Sequence, residues 1–359
     1  MLRDFLQEKI IAEDLASIFV SRSWDALRGK SIYISGASGM IASYLTMFLI
    51  FCNETKQTGI EIYAGVRSAE KAELRFGRYT QKNYFHLVQD DVILPLTIGK
   101  KIDYIVHAAS PASPQYYGCN PVETMLPNVV GTYRLLEHAK RYGAESVLFF
   151  SSGAVYGEVR SDKIYETDYG AFDFMAPGGV YGESKRCGEA LGSAYWREYR
   201  VPFKSVRIHH VYGPTLDLDR DHRAFSEFVK NILNDQDIVL MSDGSQKRAF
   251  CYLTDAILAI LQVLLHGKNG ESYNLANESQ FVSILELAET LITLYPEKHL
   301  KVIRKVRREE GYLSLAQTNS VVCDASKIRG LGCEFTVSVR DGFKRTIEYF
   351  MQVKKERRA

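Results

Sequence analysis

The chain is predicted to fold as an α/β protein with a doubly wound parallel sheet and a smaller mixed C-terminal lobe. Short runs that are apolar on both faces alternate with helical segments between residues 29 and 210. Strands of this kind are typical of parallel sheets that are covered by helices on both sides. A glycine-containing turn stands directly between the first strand and the helix that follows it.

The predicted elements follow in a regular order. Residues 1–28 form a helical extension, because their apolar residues recur at helical spacing. Strands are predicted at 31–35, 60–66, 85–88, 104–106 and 147–150, and a long helix at 122–142. The alternation breaks near residue 210, where a Tyr212–Gly213–Pro214 turn precedes helices near 222–234 and 254–266. We therefore expect the extension, a sheet domain at 29–210, and a lobe at 211–359 that is interleaved with the sheet.

Composition and charge exclude several classes of protein. The 359 residues are 46% hydrophobic and 25% charged, which excludes a disordered or fibrous chain. The 45 Lys and Arg against 43 Asp and Glu leave a net charge of +2, so no nucleic-acid partner is expected. The most apolar stretch, 41–52, is too short to span a bilayer, so no membrane partner is expected either.

The cysteines and the N-terminus predict a cytoplasmic protein without a metal site. The six cysteines are scattered, with no C-x-x-C pair and no ligand-like spacing to histidine, which favours reduced thiols. His209 and His210 are adjacent and would face different ways on a strand, which argues against a metal pair. The first residues carry charges where a signal peptide needs an apolar core.

The turn after the first strand has the spacing of a dinucleotide-binding motif. Its glycines and alanine give G-x-x-G-x-x-A from Gly36 through Gly39 to Ala42. Small residues let the backbone approach a pyrophosphate, and the helix N-terminus supplies free N–H groups with a partial positive charge. We therefore predict that Gly36, Ser38, Gly39, Met40 and Ile41 bind a dinucleotide cofactor.

The end of the second strand favours NADP(H). A cofactor with a free ribose 2′-hydroxyl is usually held by an acidic residue at this position. Here the strand ends Gly65–Val66–Arg67–Ser68, without an acid, and Arg67 would suit a 2′-phosphate. A solvated loop arginine is the alternative interpretation, and NAD(H) is not excluded.

A tyrosine and a lysine four residues apart form a candidate acid/base pair. Tyr181 and Lys185 would share one face of a helix. The lysine charge favours the phenolate, so we expect the pKa of Tyr181 to fall below its usual value of about 10. Ser151 and Ser152 end an apolar strand and would place a hydroxyl at the carboxyl edge of the sheet, where ligands of such folds bind.

Together, in this order, these elements resemble an extended short-chain dehydrogenase/reductase of the nucleotide-sugar epimerase/dehydratase family, over about residues 30–350. Further matching segments are Asp91–Val92, 107–110, 128–132, 151–157, 207–214 and 248–255. The resemblance implies a Rossmann-type sheet and the following roles. At the reacting centre, Ser152 would polarise the reacting oxygen, Tyr181 would transfer its proton, and Asn128 would support the proton relay. Around the cofactor, Lys185 would orient the nicotinamide ribose, Asp91 and Val92 would contact the adenine, and Ala108, Ala109 and Ser110 would line the binding site. Arg248 and Arg308 would bind the nucleotide diphosphate.

Two departures from the family pattern bear on the reaction. Members that catalyse 4,6-dehydration usually carry Asp-Glu directly after the catalytic hydroxyl, and decarboxylases of the group usually keep the Glu, whereas this chain has Gly153 and Ala154 there. Dehydration is therefore disfavoured, and decarboxylation less strongly, because a 4-keto intermediate itself drives loss of CO₂. His210 stands where an Asn is usual, so its contacts with the substrate are expected to differ.

The favoured function is that of a 4-keto-6-deoxy-sugar reductase, acting for example on a dTDP-4-dehydro-6-deoxyhexose in surface polysaccharide precursor synthesis. Net reduction draws on NADPH, which fits Arg67. A nucleotide-sugar C4 epimerase is the next candidate, followed by a 4,6-dehydratase or a UDP-glucuronate decarboxylase. A non-catalytic NADP-binding regulator is disfavoured, because a binder has no need of Ser152, Tyr181 and Lys185 together. A homodimer packed on the helices around Asn128 and Tyr181 is a further expectation.

Overall fold

The computed structural model describes residues 2–112, 114–176, 178–305 and 321–356. The strands are β1 Ser31–Ser35, β2 Glu61–Val66, β3 Phe85–Gln89, β4 Tyr104–His107, β5 Ser146–Ser152, β6 Lys163–Ile164, β7 Phe203–Ile208, β8 His210–Tyr212, β9 Ile238–Leu240, β10 Lys247–Tyr252, β11 Ser272–Leu275, β12 Phe281–Ser283, β13 Val302–Arg304 and β14 Val322–Cys323. Within these residues, none of the helices combines the length and the hydropathy needed to cross a bilayer.

The helices alternate with the strands through the first half of the chain. They are α1 Lys9–Ser21, α2 Met40–Lys56, α3 Ala69–Phe76, α4 Pro114–Cys119, α5 Pro121–Leu126, α6 Thr132–Tyr142, α7 Gly179–Tyr199, α8 Ala224–Leu233, α9 Leu253–His266, α10 Ile284–Ile292, α11 Ser326–Arg329 and α12 Val339–Glu356. A π-helical turn, Pro127–Gly131, joins α5 to α6. The long helix predicted at 122–142 is thus formed in three pieces.

The central sheet has seven parallel strands in the order β11-β7-β5-β4-β1-β2-β3. This is the predicted doubly wound arrangement. The direction of strand addition reverses beside β1, which pairs with β2 on one side and β4 on the other. In such sheets ligands bind at the carboxyl edge next to this reversal. The turn after β1 lies there.

Both faces of the sheet are covered, as the apolar strands require. Ile34 packs with α1, α2 and α9 in one hydrophobic cluster, whereas its neighbour Tyr33 packs with residues of α6 and α7 in another. This alternation follows from the two-residue period of a strand. Each strand of the sheet centre therefore contributes to both layers of the core.

Elements after residue 211 build a second core and also return to the sheet. Strand β11 adds to the sheet beside β7. The remaining strands form small sheets, of which the largest has the order β12-β10-β8. Aromatic side chains fill the space between these strands and α8, α10 and α12, with Tyr212 and Phe343 stacked at 3.9 Å between ring centroids.

The N-terminal extension is helical, as predicted, and it is packed against the body of the protein. It contains α1 between two short 3₁₀ turns, Phe5–Gln7 and Asp25–Leu27. Phe5, Ile11, Leu15, Ile18 and Leu27 are buried in the same cluster as α2 and α9. At about 25 cal/mol per Å² of apolar surface, burial of such side chains is a substantial stabilising contribution.

Candidate active site

The turn after β1 brings the backbone close to the next strand. Gly36 has a φ of 64°, which favours glycine. A Cβ at this position would lie 2.7 Å from the Cα of Ala109, so only glycine fits. Gly39 is the N-cap of α2 and provides no side-chain cap, which leaves the first N–H groups of the helix for a ligand. Ser38, Met40 and Ile41 belong to the same turn and the first turn of α2.

Buried polar groups hold the neighbouring wall in place. The hydroxyl of Ser35 accepts hydrogen bonds from the backbone N–H groups of Ala108 and Ala109, both at 3.1 Å. It also contacts Nδ1 of His107 at 2.8 Å, while Nε2 of His107 donates to the carbonyl of Pro127 at 2.9 Å. Burial lowers the pKa of His107 to about 3, so the imidazole is neutral and Ser35 donates to Nδ1.

Ser152 and Tyr181 meet at the carboxyl edge of the sheet. Ser152 ends β5, and its hydroxyl accepts a hydrogen bond from the backbone N–H of Ala154 at 3.1 Å. Tyr181 lies in the first turn of α7, and the Ser152 side chain is close enough to lower the pKa of its phenol. The ring of Tyr117 on α4 stacks on the Tyr181 ring, with centroids 5.1 Å apart and planes 10° apart. The hydroxyls of Ser152 and Tyr181 thus lie near each other, and the Tyr117 ring covers one face of Tyr181.

The expected effect of Lys185 on Tyr181 is wrong. Burial raises the pKa of Tyr181 to about 12, and the Ser152 side chain and the charge of Arg223 act in the opposite direction. Lys185 donates from Nζ to the carbonyl of Phe150 at 2.6 Å, and Nζ lies 5.8 Å from the centroid of the Tyr181 ring. Burial also lowers the pKa of Lys185 to about 7, which weakens the charge that was expected to act on the phenol.

Asn128 lies in the π-helical turn and supports α7. Its Nδ2 donates to the carbonyl of Thr124 at 3.0 Å and to the hydroxyl of Ser184 at 2.9 Å, and Ser184 donates in turn to the carbonyl of Tyr181 at 2.8 Å. The Oδ1 atom of Asn128 is buried without a hydrogen-bond partner. Such π-helical turns are frequent at functional sites. The Asn128 side chain is thus connected through Ser184 to the backbone of Tyr181. A role of Asn128 in a proton relay stays a prediction.

The residues predicted to contact the adenosine half lie along the edge formed by β2 and β3. Arg67 is exposed directly after β2, and Ser68 caps α3 by accepting from the backbone N–H of Lys71. Asp91 follows β3, and Val92 packs so closely on Gly131 that a Cβ there would lie 2.9 Å from Val92 Cγ1. Their roles as cofactor contacts stay predictions.

Two arginines lie close enough to His210 to affect its pKa. His210 lies on β8 beside Phe250, and burial together with the charges of Arg248 and Arg223 lowers its pKa. Arg248 on β10 is half-buried and donates to Gln246 Oε1 at 3.0 Å. The predicted clamp residue Arg308 lies outside the described residues.

Sequence reasoning missed Arg223 and Tyr117. Arg223 precedes α8 and is oriented by Asp221, whose carboxylate accepts from its guanidinium at 2.6 to 3.1 Å. Its charge acts on both Tyr181 and His210. An arginine at the start of the helix after the Tyr212–Gly213–Pro214 turn was the available signal for Arg223. For Tyr117 it was an aromatic pair following the segment 107–110.

Gly153, which departs from the family pattern, packs against His209. A Cβ at Gly153 would overlap the imidazole of His209, so the histidine occupies the space of a larger side chain at 153. Nδ1 of His209 lies 3.8 Å from Sγ of Cys323, and burial lowers the pKa of His209 to about 4. Ala154 brings no carboxyl group to the site. His209 and His210 face different surroundings, as expected.

Comparison with known proteins gives the family of the chain. A family model described as "NAD dependent epimerase/dehydratase family" matches residues 32–276. UDP-glucuronic acid decarboxylase 3 of Arabidopsis thaliana is 31% identical over 312 residues, which cover 87% of this chain and 86% of that protein. The chain belongs to the NAD-dependent epimerase/dehydratase family. As a member it is an enzyme of the extended short-chain dehydrogenase type.

A further relative has a related name, and two solved structures have a similar fold. UDP-glucuronic acid decarboxylase 1 of Danio rerio is 29% identical over 323 residues, covering 89% of this chain and 72% of that protein. UDP-glucose 4-epimerase of Thermotoga maritima has a TM-score of 0.74 at 23% identity, covering 90% of this chain and 99% of that one. UDP-glucuronic acid 4-epimerase of Bacillus cereus, solved with NAD, has a TM-score of 0.71 at 24% identity, covering 90% and 97%.

The residues at the carboxyl edge fit the dinucleotide of an NAD-dependent epimerase/dehydratase. Gly36 leaves the backbone open to a pyrophosphate, and the uncapped start of α2 offers N–H donors. The hydroxyl of Ser110, in the wall beside this turn, is buried without a hydrogen-bond partner. An unpaired buried hydroxyl costs about 1–3 kcal/mol, which a hydrogen bond to a bound cofactor would offset.

Proposed function

We propose that the enzyme catalyses oxidation and reduction at C4 of a nucleoside-diphosphate uronic acid, with loss of CO₂ at the 4-keto stage, as a UDP-glucuronate decarboxylase does. The observation that carries this proposal is the position of Tyr181, which lies near Ser152 and Arg223, both of which act to lower the pKa of its phenol. The names of the relatives that are about 30% identical support the choice of a uronic acid.

Ser152 and Tyr181 supply the proton transfer at C4. A bound nicotinamide supplies the hydride acceptor and donor for the same carbon. Tyr181, as phenolate, takes the proton of the C4 hydroxyl and returns it when the ketone is reduced again. Ser152 donates a hydrogen bond to that oxygen. The charge of Arg223 favours the phenolate, because it lowers a pKa that burial raises to about 12.

Decarboxylation needs little more from the chain than these groups. A 4-keto uronic acid is a β-keto acid, and loss of CO₂ breaks the C5–C6 bond and leaves the electron pair in an enolate on the C4 oxygen. Hydrogen bonds from Ser152 and Tyr181 stabilise that oxyanion. C5 then takes a proton from solvent. Ala154, which has no carboxyl group, is therefore compatible with this reaction.

The positive side of the site suits the anionic parts of such a substrate. Arg223 and Arg248 both act on His210, and burial keeps His210 neutral. Guanidinium groups form strong charge-assisted hydrogen bonds with carboxylates and phosphates. We propose that these two arginines bind the diphosphate and the uronate carboxylate.

A 4-keto-6-deoxy-sugar reductase that consumes NADPH is the second candidate. Arg67, exposed directly after β2 where no acidic residue ends the strand, favours this candidate. So does the absence of carboxyl groups at Gly153 and Ala154. A C4 epimerase, which needs the same hydride chemistry without loss of CO₂, is the remaining alternative. The preference for NADP, a cytoplasmic location and a homodimer stay predictions.

The test offers both substrate types to the purified enzyme. With UDP-glucuronic acid and NAD⁺, mass spectrometry should detect a UDP-pentose that has lost CO₂, with no net change in the absorbance of reduced nicotinamide. A UDP-hexuronate of unchanged mass but altered stereochemistry would show epimerisation. Conversion of a dTDP-4-keto-6-deoxyhexose with one NADPH oxidised per sugar, and no reaction of UDP-glucuronic acid, would establish the second candidate and refute the first.

A further inference from the structure

One buried carboxylate in the N-terminal helix joins three other elements of the enzyme. Asp14 on α1 is 3% exposed. Its Oδ2 accepts hydrogen bonds from the hydroxyls of Tyr44 at 2.7 Å and Tyr252 at 2.6 Å. Its Oδ1 accepts from Nε of Arg345 at 2.8 Å. These donors lie on α2, β10 and α12, so a single side chain connects distant parts of the sequence.

Two of these elements carry opposite halves of the candidate active site. Helix α2 begins directly after the turn that contains Gly36 and Gly39, and Tyr44 lies about one helical turn after Met40. The carbonyl of Met40 also accepts a hydrogen bond from the hydroxyl of Thr215 at 2.9 Å, beyond the Tyr212–Gly213–Pro214 turn. Strand β10 carries Arg248 and ends at Tyr252. The hydrogen bonds of Asp14 therefore connect α2, beside the proposed cofactor site, with β10, beside the proposed sugar-nucleotide site.

The bonds of Asp14 depend on one another. Burial raises the pKa of Asp14, while the hydrogen bonds of Tyr252 and Tyr44 and the charge of Arg345 act to lower it. A buried carboxylate that loses its donors is strongly destabilised. Movement of α2 or β10 away from α1 would leave this charge underpaired, so the carboxylate favours the conformation in which both elements are in place. The helix lies outside residues 32–276, which the family model matches.

We propose that Asp14 is a positioning residue that makes binding of the dinucleotide and of the sugar nucleotide cooperative. It holds α2 and β10 in the one relative position that suits both ligands. Either ligand, by ordering its own element, leaves less to be ordered when the second ligand binds. The inference rests on the proposed function in one respect, namely that the sugar nucleotide binds beside Arg248.

Binding measurements on the full chain test this coupling without turnover. Calorimetry would give the Kd of UDP with and without saturating NAD⁺, for the wild type and for Asp14→Asn. We expect NAD⁺ to tighten UDP binding by about fivefold or more in the wild type, and UDP to tighten NAD⁺ binding by the same factor. In Asp14→Asn this ratio should fall toward one, because an amide cannot accept from Arg345 and both tyrosines as the carboxylate does.

Neighbouring variants control for stability. Glu13→Gln alters the adjacent residue of α1, which is exposed and contacts Arg345 Nη2 at 3.1 Å, so it should keep the wild-type ratio. Tyr44→Phe and Tyr252→Phe each remove one hydrogen bond of Asp14, and each should lower the ratio. Should Asp14→Asn fail to fold, these two variants carry the test. A merely structural role would lower the melting temperature and leave the ratio of Kd values unchanged.

The outcomes separate the inference from the function on which it rests. If the wild type binds both ligands and the ratio is the same in the folded Asp14→Asn protein, or in both tyrosine variants, the coupling role is refuted. A wild-type ratio of one refutes it as well. If the wild type binds NAD⁺ and fails to bind UDP, the proposed function fails, and the coupling of these two ligands fails with it.

Discussion

The Nζ atom of Lys185 donates a hydrogen bond to the carbonyl oxygen of Phe150 at 2.6 Å. Phe150 belongs to β5, the strand that ends at Ser152. The bond therefore ties the helix that carries Tyr181 to the strand that carries its hydroxyl partner. Because the amine is buried, its pKa is lowered to about 7. Lys185 thus positions the pair and is a much weaker cation than an exposed lysine.

This buried lysine predicts a specific dependence of stability on pH. In the unfolded chain the lysine pKa is about 10.4, so between pH of about 7 and 10 the unfolded state binds a proton that the folded state does not. The free energy of unfolding of the ligand-free wild type should rise with pH in this window relative to Lys185→Met. Urea unfolding at several pH values measures it. Lys344→Met, which removes an exposed lysine, should show the same pH dependence of the free energy of unfolding as the wild type. If the free energy of unfolding of Lys185→Met changed with pH in parallel with that of the wild type, the prediction would be wrong.

Tyr181→Phe should remove the proton-transferring group and leave the site otherwise intact. The ring would still stack on Tyr117, so the fold and the Kd of UDP should be unchanged. Loss of the general acid/base lowers turnover by roughly 10²–10⁴-fold. Steady-state kinetics on the substrate found for the wild type, with circular dichroism as the folding control, measure this. Near-normal turnover of the variant would show that Tyr181 does not transfer the proton.

Arg223→Gln should shift the pH profile of the reaction upward. The charge of Arg223 lowers the pKa of Tyr181, so its removal should raise that pKa, and the phenolate should form only at higher pH. The ascending limb of log kcat against pH, where turnover rises as the phenolate forms, should move to higher pH. Arg220→Gln removes an exposed arginine of the same loop and should leave the profile in place. An unmoved limb in Arg223→Gln would contradict the electrostatic role of Arg223.

Arg67→Ala tests the cofactor preference. If Arg67 binds a 2′-phosphate, the variant should lose on the order of 1.5–3 kcal/mol of NADPH binding energy, with little change for NADH. Fluorescence titration of both cofactors gives the two Kd values. Tighter binding of NADH than of NADPH by the wild type, or an unchanged NADPH affinity in the variant, would contradict a preference for NADP that rests on Arg67.

The sequence predicted the elements whose chemistry is local. The Gly36–Ala42 turn, the strands on either side of it and the Tyr181–Lys185 pair could be located because spacing alone decides which residues share a turn or a helix face. The apolar strands predicted the parallel sheet for the same reason. Each of these features depends on residues that are close in the sequence.

Features that depend on tertiary packing could not be predicted in this way. The direction of the pKa shift of Tyr181 is decided by burial beneath Tyr117, and that of Lys185 by its burial beside Phe150. Arg223 reaches the site because the chain folds back after Pro214. Gly153 follows β5 and His209 lies between β7 and β8, so their contact joins residues that are distant in the sequence, and no local pattern records it.

The central claim is that hydride leaves C4 and returns to C4 within one catalytic cycle, with Ser152 and Tyr181 moving the proton. The most direct measurement follows UDP-glucuronic acid that carries deuterium at C4, incubated with the wild type and NAD⁺. We expect a UDP-pentose that has lost CO₂ and retains the deuterium, with no net formation of reduced cofactor. A product without deuterium, net consumption of reduced cofactor, or no conversion of this substrate would contradict it.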